Sequence, residues 1–131
     1  QWEPIYELKK ALTIPVLGNG GITSYNDGLN KLGNLDGLLI GQATFGNPWI
    51  FNVEEKTIPL SEKIPLILQH ANWLIEDKGL RVGIREIRKH LVQYIKGIDG
   101  AKAIRSALVR VESVQEIAEI LKKLLTKKHE I

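Results

Sequence analysis

The chain of 131 residues contains no cysteine and no methionine. Without cysteine, no disulfide and no thiolate chemistry can arise within it. No apolar run approaches the roughly 18 residues that a membrane span needs. The opening Gln1-Trp2-Glu3-Pro4 also lacks the basic and apolar blocks of a secretory leader. The expected location is therefore the cytoplasm, with no membrane partner. Because methionine is missing even from position 1, the chain is expected to begin inside a longer protein. What is present is ordinary for a soluble globular protein, with 44% apolar and 25% charged residues. That balance excludes a wholly disordered, collagen-like or disulfide-stapled chain and suits one domain or two small ones.

Net charge is unevenly spread between the halves. Residues 1 to 60 carry 4 basic and 6 acidic side chains, residues 61 to 131 carry 14 basic and 9 acidic, and the formal +3 thus belongs to the second half. A basic half suits a polyanion, since clustered Lys and Arg release phosphate counterions on binding; a solvated helical surface is the competing explanation.

The pattern of apolar residues changes between the halves. Residues 4 to 12 place Ile5, Leu8 and Leu12 on one helical face behind a proline suited to a first turn. Thr13-Ile-Pro-Val-Leu17 then reads as a buried strand running into Gly18-Asn-Gly-Gly21. Ser24-Tyr-Asn-Asp27 signals a helix start, predicting a helix over 25–32, and Asp36-Gly-Leu-Leu-Ile-Gly41 a second buried strand. Connections this short describe parallel βα units. After the polar, proline-marked Thr57-Ile-Pro-Leu60, helical periodicity takes over. Ser61 is expected to cap the first of four amphipathic helices, the next two covering 84–96 and 100–111 and the last opening with the capping box Ser113-Val-Gln-Glu116. Gly79, Gly83, Gly97 and Gly100 read as punctuation between them. Short loops between four such helices describe a small antiparallel bundle.

Two stretches carry chemistry. Gly18-Asn-Gly-Gly-Ile-Thr23 follows a strand with three glycines, which let backbone N–H groups approach an anion with no Cβ in the way, just before a helix start. Gly41-Gln-Ala-Thr-Phe-Gly46 ends the next strand and continues into Asn47-Pro-Trp-Ile-Phe51. In a (β/α)₈ barrel, the loops after the last two strands form a phosphate site. Two turns that merely connect elements would look similar one at a time, and the tandem favours the phosphate.

Ile14-Pro-Val-Leu-Gly-Asn-Gly-Gly-Ile22 and Asp36-Gly-Leu-Leu-Ile-Gly-Gln-Ala-Thr-Phe-Gly-Asn-Pro-Trp-Ile-Phe51 resemble the last two strands of the tRNA-dihydrouridine synthases. Arg85-Glu-Ile-Arg-Lys-His-Leu-Val-Gln-Tyr-Ile-Lys-Gly97, followed by Gly100-Ala-Lys-Ala-Ile-Arg105, is similar to that family's C-terminal helical domain, so the likeness runs from Ile14 to about Val111. It implies an α/β part, residues 1–56, holding the last two βα units of an FMN-binding TIM (β/α)₈ barrel. It also implies an all-α part, residues 57–131, that is a four-helix bundle binding tRNA. The implied activity is reduction of the C5–C6 bond of tRNA uridines by FMN, itself reduced by NADPH. Asn19, Gly20 and Gly21 would hold the FMN phosphate from the first loop, and Gly41 and Gln42 from the second. Gln42 departs from the family, which more often has an arginine there; an amide donates to phosphate without a guanidinium's charge-assisted, bidentate geometry. The family's catalytic cysteine sits on an earlier barrel loop, so no catalytic residue is expected in this chain and the piece alone is expected to be inactive. The remaining alternatives are another FMN barrel oxidoreductase acting on a small metabolite, and a stand-alone helical RNA-binding module without catalysis.

Arg85, Arg88, Lys89 and Lys96, with Arg81 just upstream, fall off the apolar stripe and form a basic ridge. Tyr94 could stack on a base, and Lys102 and Arg105 would extend the ridge. A solvated helix face is the plain alternative, and the resemblance favours RNA. Lys122, Lys123, Lys127 and Lys128 complement a helix C-terminus. His70, His90 and His129 lie far apart with no second ligand four residues on, so no metal is expected; His90 borders the ridge and His70 the core. Asp27 and Asp36 fit a cap and a turn better than an acid and base pair. Trp49 and Phe51 are expected between barrel and bundle.

Overall fold

The computed structural model describes residues 1–54 and 56–126 and divides into two compact units, Gln1–Lys56 and Thr57 onward. Lys127 and Lys128, expected at a helix terminus, and His129 lie outside the described residues.

The first unit begins with helix α1 (Glu3–Ala11), whose Pro4 stands in the first turn where a missing N–H costs nothing. Strand β1 (Leu17–Asn19), helix α2 (Tyr25–Leu32) and strand β2 (Gly37–Leu39) come next in the chain. The two strands pair in parallel, with Leu17 opposite Gly37 and Asn19 opposite Leu39, around the crossover helix α2. Single 3₁₀ turns at Gln42–Thr44 and Pro48–Phe51 complete the unit.

Both strands differ from the sequence reading. Composition places the first over 13–17, yet pairing starts at its last residue, because Pro15 has no N–H to give a ladder and Val16 is bound by Asp36 instead. The second, expected over 36–41, is paired only over Gly37–Leu39. Neither is fully buried: Ile14 is 62% exposed, and Leu17 and Leu39 are each 51% exposed. The physical reason is that each strand has one neighbour among the described residues, so only one flank of the pair is covered. Gly18 is buried, pressed so closely by Trp2 and Leu35 that a Cβ there would stand 2.6 Å from Leu35 Cδ1.

The second unit comprises α3 (Leu60–Lys78), α4 (Leu80–Tyr94), α5 (Ala101–Leu108) and α6 (Val114–Thr126). Helix α3 packs on α4 and α6, and α5 on α4 and α6. The apolar stripes converge as their spacing requires, with Ile67, Ile87, Leu91, Leu108, Ile117 and Leu121 fully buried. Each such side chain contributes about 1.5–3 kcal/mol relative to exposure. A variant of the capping box forms at α6: the Glu116 N–H donates to Ser113 Oγ at 3.1 Å, and the Glu116 carboxylate accepts from the Glu112 N–H, one residue ahead of the expected cap, at 2.9 Å.

Several boundaries move, α4 and α5 ending at Tyr94 and Leu108, short of the expected 96 and 111. Ser61 is not the cap of α3, since Pro59 occupies that position and its carbonyl accepts from the N–H groups of Glu62 and Lys63. Helix α4 starts four residues earlier than expected, and Gly83 lies inside it. Gly83 is a contact residue rather than punctuation. A Cβ there would sit 2.7 Å from the backbone of Leu74 and Ile75, so the missing side chain lets α4 close against α3.

Replacing Gly83 with Ala should therefore destabilise the helical unit despite a helix-propensity gain of about 1 kcal/mol, because prying two backbones apart costs about 1–3 kcal/mol. A urea midpoint equal to or above wild type would show that the hairpin can spread freely. A second test concerns His70 and His90, whose rings are brought to 4.8 Å between centroids. Burial, above all, holds both imidazoles below their ordinary value, with the neighbouring ring and Lys89 adding to the effect at His90 and Glu86 opposing it at both. The folded state thus binds fewer protons than the unfolded one. Stability from this pair is complete above the unfolded pKa of about 6.5 and is lost as pH falls below it. Urea midpoints should fall between pH 7.5 and 5.5, and fall less in His90→Gln; identical pH responses would refute the assignment.

Candidate functional site

The parallel register decides where the two glycine loops lie. Asn19 ends β1 opposite Leu39 near the end of β2, so Gly20-Gly21 and Gly41-Gln42 emerge at the same edge of the sheet. Gly20 and Gly21 adopt φ of +132° and +58°, values that side-chain-bearing residues rarely take. A Cβ at Gly20, Gly21 or Gly41 would meet nothing within 4 Å among the described residues. The openness is therefore a property of the loops and not of tight packing. Among the described residues the N–H groups of Gly21 and Gly41 donate to no protein acceptor. The opening thus presents backbone donors beside the start of α2, the combination that suits a phosphate.

The polar side chains around it are committed to shape. Ser24 caps α2 by accepting from the Asp27 N–H at 3.1 Å. The Asp27 carboxylate accepts from Lys31, from the Thr23 N–H at 2.8 Å and from the Thr23 hydroxyl, and the Lys31 ammonium first, then the Thr23 N–H, lower its pKa. Lys31 also donates to the Gly21 carbonyl at 2.9 Å, which holds the loop open from behind. On the second loop, Thr44 donates its hydroxyl to the Gly41 carbonyl at 2.7 Å, leaving Gln42 exposed at the first position of the 3₁₀ turn. Asp36 accepts from Lys9 and from the Val16 N–H, and those two partners, in that order, lower its pKa. Neither carboxylate is poised to move a proton, in line with their reading as cap and turn.

In the second unit, Arg81, Arg85 and Arg88 lie at i, i+4 and i+7 along α4 and line one shallow groove of about 480 Å³ with Leu80, Ile84 and Glu112. No arginine among the described residues makes an ion pair; Lys89 stands 3.6 Å from Glu86. Arg85, Lys89, Lys96 and Arg105 are exposed. Arg88 is half-buried and donates through Nε and Nη2 to the Val111 carbonyl at 3.0 and 2.7 Å, so part of its guanidinium holds the fold. Tyr94 does not join the ridge. It is 5% exposed, its hydroxyl lies 3.2 Å from His70 Nδ1, and no base can stack on it. The physical reason is its spacing from Ile87 and Leu91, which continues their buried stripe and turns it inward.

His70 and His90, distant in sequence, face each other across α3 and α4, and no group of three or more metal-ligating side chains occurs among the described residues. No helix there is long and apolar enough to cross a membrane. Glu112 and the full weight of Arg81 escaped sequence reasoning. The i, i+4, i+7 spacing of the arginines becomes visible once Gly83 is taken as helical, whereas Glu112 joins them only through tertiary packing.

Comparison with known proteins covers both units. The family model for Dihydrouridine synthase (Dus) matches residues 1–129. The chain is 34% identical over 127 residues to tRNA-dihydrouridine synthase B of Pasteurella multocida (strain Pm70), covering 88% of this chain and 38% of that protein. It is 36% identical over 135 aligned positions to a protein of Mycobacterium tuberculosis (strain CDC 1551 / Oshkosh) named "Probable tRNA-dihydrouridine synthase", covering 94% and 35%. A Synechocystis protein named "Probable tRNA-dihydrouridine synthase 1" is 34% identical, covering 92% and 37%. The chain thus spans little more than a third of the length of these relatives. Matched by the family model along almost its whole length, this chain belongs to the dihydrouridine synthase family.

Proposed function

We propose that this chain is the C-terminal portion of an FMN-dependent tRNA-dihydrouridine synthase: residues 1–56 close the TIM barrel and hold the FMN phosphate, and residues 57–131 form a helical bundle that binds tRNA. The observation that carries the first half is the pair of glycine loops set side by side by the strand register, open where a Cβ would stand. Gly20, Gly21 and Gly41 offer close backbone approach, and Asn19 and Gln42 offer side-chain donors at the same edge. This donor set fits a phosphate monoester held by backbone groups with little help from cations, since the nearest ammonium, Lys31, is occupied by Asp27 and the Gly21 carbonyl. When bound, FMN reduced by NADPH supplies the hydride for the uridine C5–C6 bond. Residues of this chain anchor the cofactor and orient the RNA, and the proton donor is expected from elsewhere in the complete protein.

The RNA half of the reading rests on the guanidiniums of α4, which make no ion pair among the described residues, and on the exposed ammoniums beside them. Arg85, Lys89 and Lys96, with Arg105 on α5, remain as phosphate contacts, and Arg88 contributes charge from a fixed position. A cytoplasmic setting, where tRNA is available, accords with this role. The metabolite oxidoreductase alternative gives no account of this basic face.

In the complete protein, Gly20→Asp should expel FMN. Like charges about 4 Å apart near a protein surface repel by about 4 kcal/mol. Gly20→Asn, which carries the same backbone strain without charge, should retain more flavin. Stoichiometric flavin absorbance in purified Gly20→Asp would overturn the cradle. On the RNA side, replacing Arg85 and Lys89 with Ala should weaken tRNA binding and flatten the slope of log K against log salt by about one unit per lost phosphate contact. Both side chains lie off the buried stripe, so circular dichroism should be unchanged. Equal affinity at low salt would return the two residues to a solvated surface.

A further inference from the structure

The groove beside α4 contains more than phosphate-binding charge. Three guanidiniums and one carboxylate, that of Glu112, line it, yet no ion pair bridges them among the described residues. Opposite charges sharing a groove without pairing leave both kinds of hydrogen-bonding group open to a ligand. A groove serving only as a track for phosphates gains nothing from an acceptor-only carboxylate, which repels the backbone it tracks.

The main chain that carries Glu112 is also held in place. The Glu112 N–H donates to the Glu116 carboxylate of the α6 capping box, and the residue before it, Val111, is buried with its carbonyl gripped twice by Arg88. The backbone from which the Glu112 carboxylate projects is thereby fixed at two successive residues. Between this wall and the arginines, Ile84 forms an apolar floor and Leu80 is 60% exposed beside it. The volume of about 480 Å³ lies in the range of sites that take small organic ligands, nucleotides included.

We infer that this groove receives one ribonucleotide unit of the bound RNA, its phosphate on Arg81 and Arg85, its sugar against Leu80 and Ile84, and its 2′-hydroxyl donating to the Glu112 carboxylate. Glu112 is then a specificity residue that distinguishes ribose from deoxyribose, a distinction the 2′-hydroxyl alone supplies at a single nucleotide. The inference rests on the RNA-binding reading of α4 and adds to it the chemical feature that is read.

Charge and hydrogen bonding predict opposite signs for one substitution. If Glu112 only borders the phosphates, Glu112→Gln removes repulsion and tightens binding of any nucleic acid. If it accepts from the ribose, the same change weakens RNA and leaves DNA equal or tighter. The 131-residue chain and its Glu112→Gln and Leu80→Ser variants would be titrated with a tRNA transcript and with an all-deoxy oligonucleotide of the same sequence, at fixed salt. The expected result is a preference for RNA that falls several-fold in Glu112→Gln, because a neutral amide oxygen replaces a charged acceptor at the ribose. In Leu80→Ser, binding should weaken while the preference persists. Tightening of both nucleic acids by Glu112→Gln in equal measure would overturn the ribose assignment and leave the basic face standing. Failure of the wild-type chain to bind either would overturn both.

Discussion

The first unit depends on the carboxylate of Asp36. It accepts from Lys9 of α1 and from the Val16 N–H ahead of β1, while its own N–H donates to the Val16 carbonyl at 3.0 Å. One side chain thus ties the opening helix to both strands at the point where pairing begins. The register set there is fixed within one residue, and a parallel slip would carry Gly20 away from Gly41. Strands of three residues have little pairing of their own with which to resist such a slip. The lock lies at the opposite end of the strands from the glycine loops, so what it secures is a site it does not touch.

The helical unit is secured by an absence. At Gly83 the lack of a Cβ brings α4 onto the backbone of α3, and the ion pair of Lys78 with Glu86 closes the same hairpin at 2.7 Å. The side of α4 turned to α3 accordingly holds His90 and Tyr94, and the arginines occupy a different face. Close packing on one side sorts the polar residues of α4 into two populations. One joins a network within the hairpin, and the other faces solvent or ligand, with Arg88 tied in addition to the Val111 carbonyl.

Features of local origin are legible in the chain itself. Ser24 with Asp27 and Ser113 with Glu116 announce helix starts because their hydrogen bonds close within four residues, and the buried stripes arise from periodicity alone. Features of tertiary origin are not. Thr13 to Leu17 has strand composition throughout, but its pairing waits on a carboxylate 20 residues on. Gly83 reads as a break since nothing local distinguishes a glycine that ends a helix from one that another helix covers. Tyr94 resembles a stacking platform until His70, 24 residues earlier, claims its hydroxyl. Of the candidate site, the glycine loops and the exposed cations can be named from the chain, while the meeting of Arg81, Arg85 and Arg88 with Glu112 requires the fold.

Arg88 is a cation that also serves as a strut. A carbonyl accepts its hydrogen bonds without neutralising it, so the full positive charge still acts on the groove while the side chain is held in one arrangement. A free arginine gives up about 2 kcal/mol of rotamer freedom when a ligand immobilises it. For Arg88 that ordering has largely occurred during folding, and any anion entering the groove meets a charge whose direction is set in advance. The neighbouring arginines keep their freedom and can adapt to the shape that arrives. Rigid and compliant charge therefore stand side by side on one helix, the first favouring a particular approach and the second tolerating variety in what makes it.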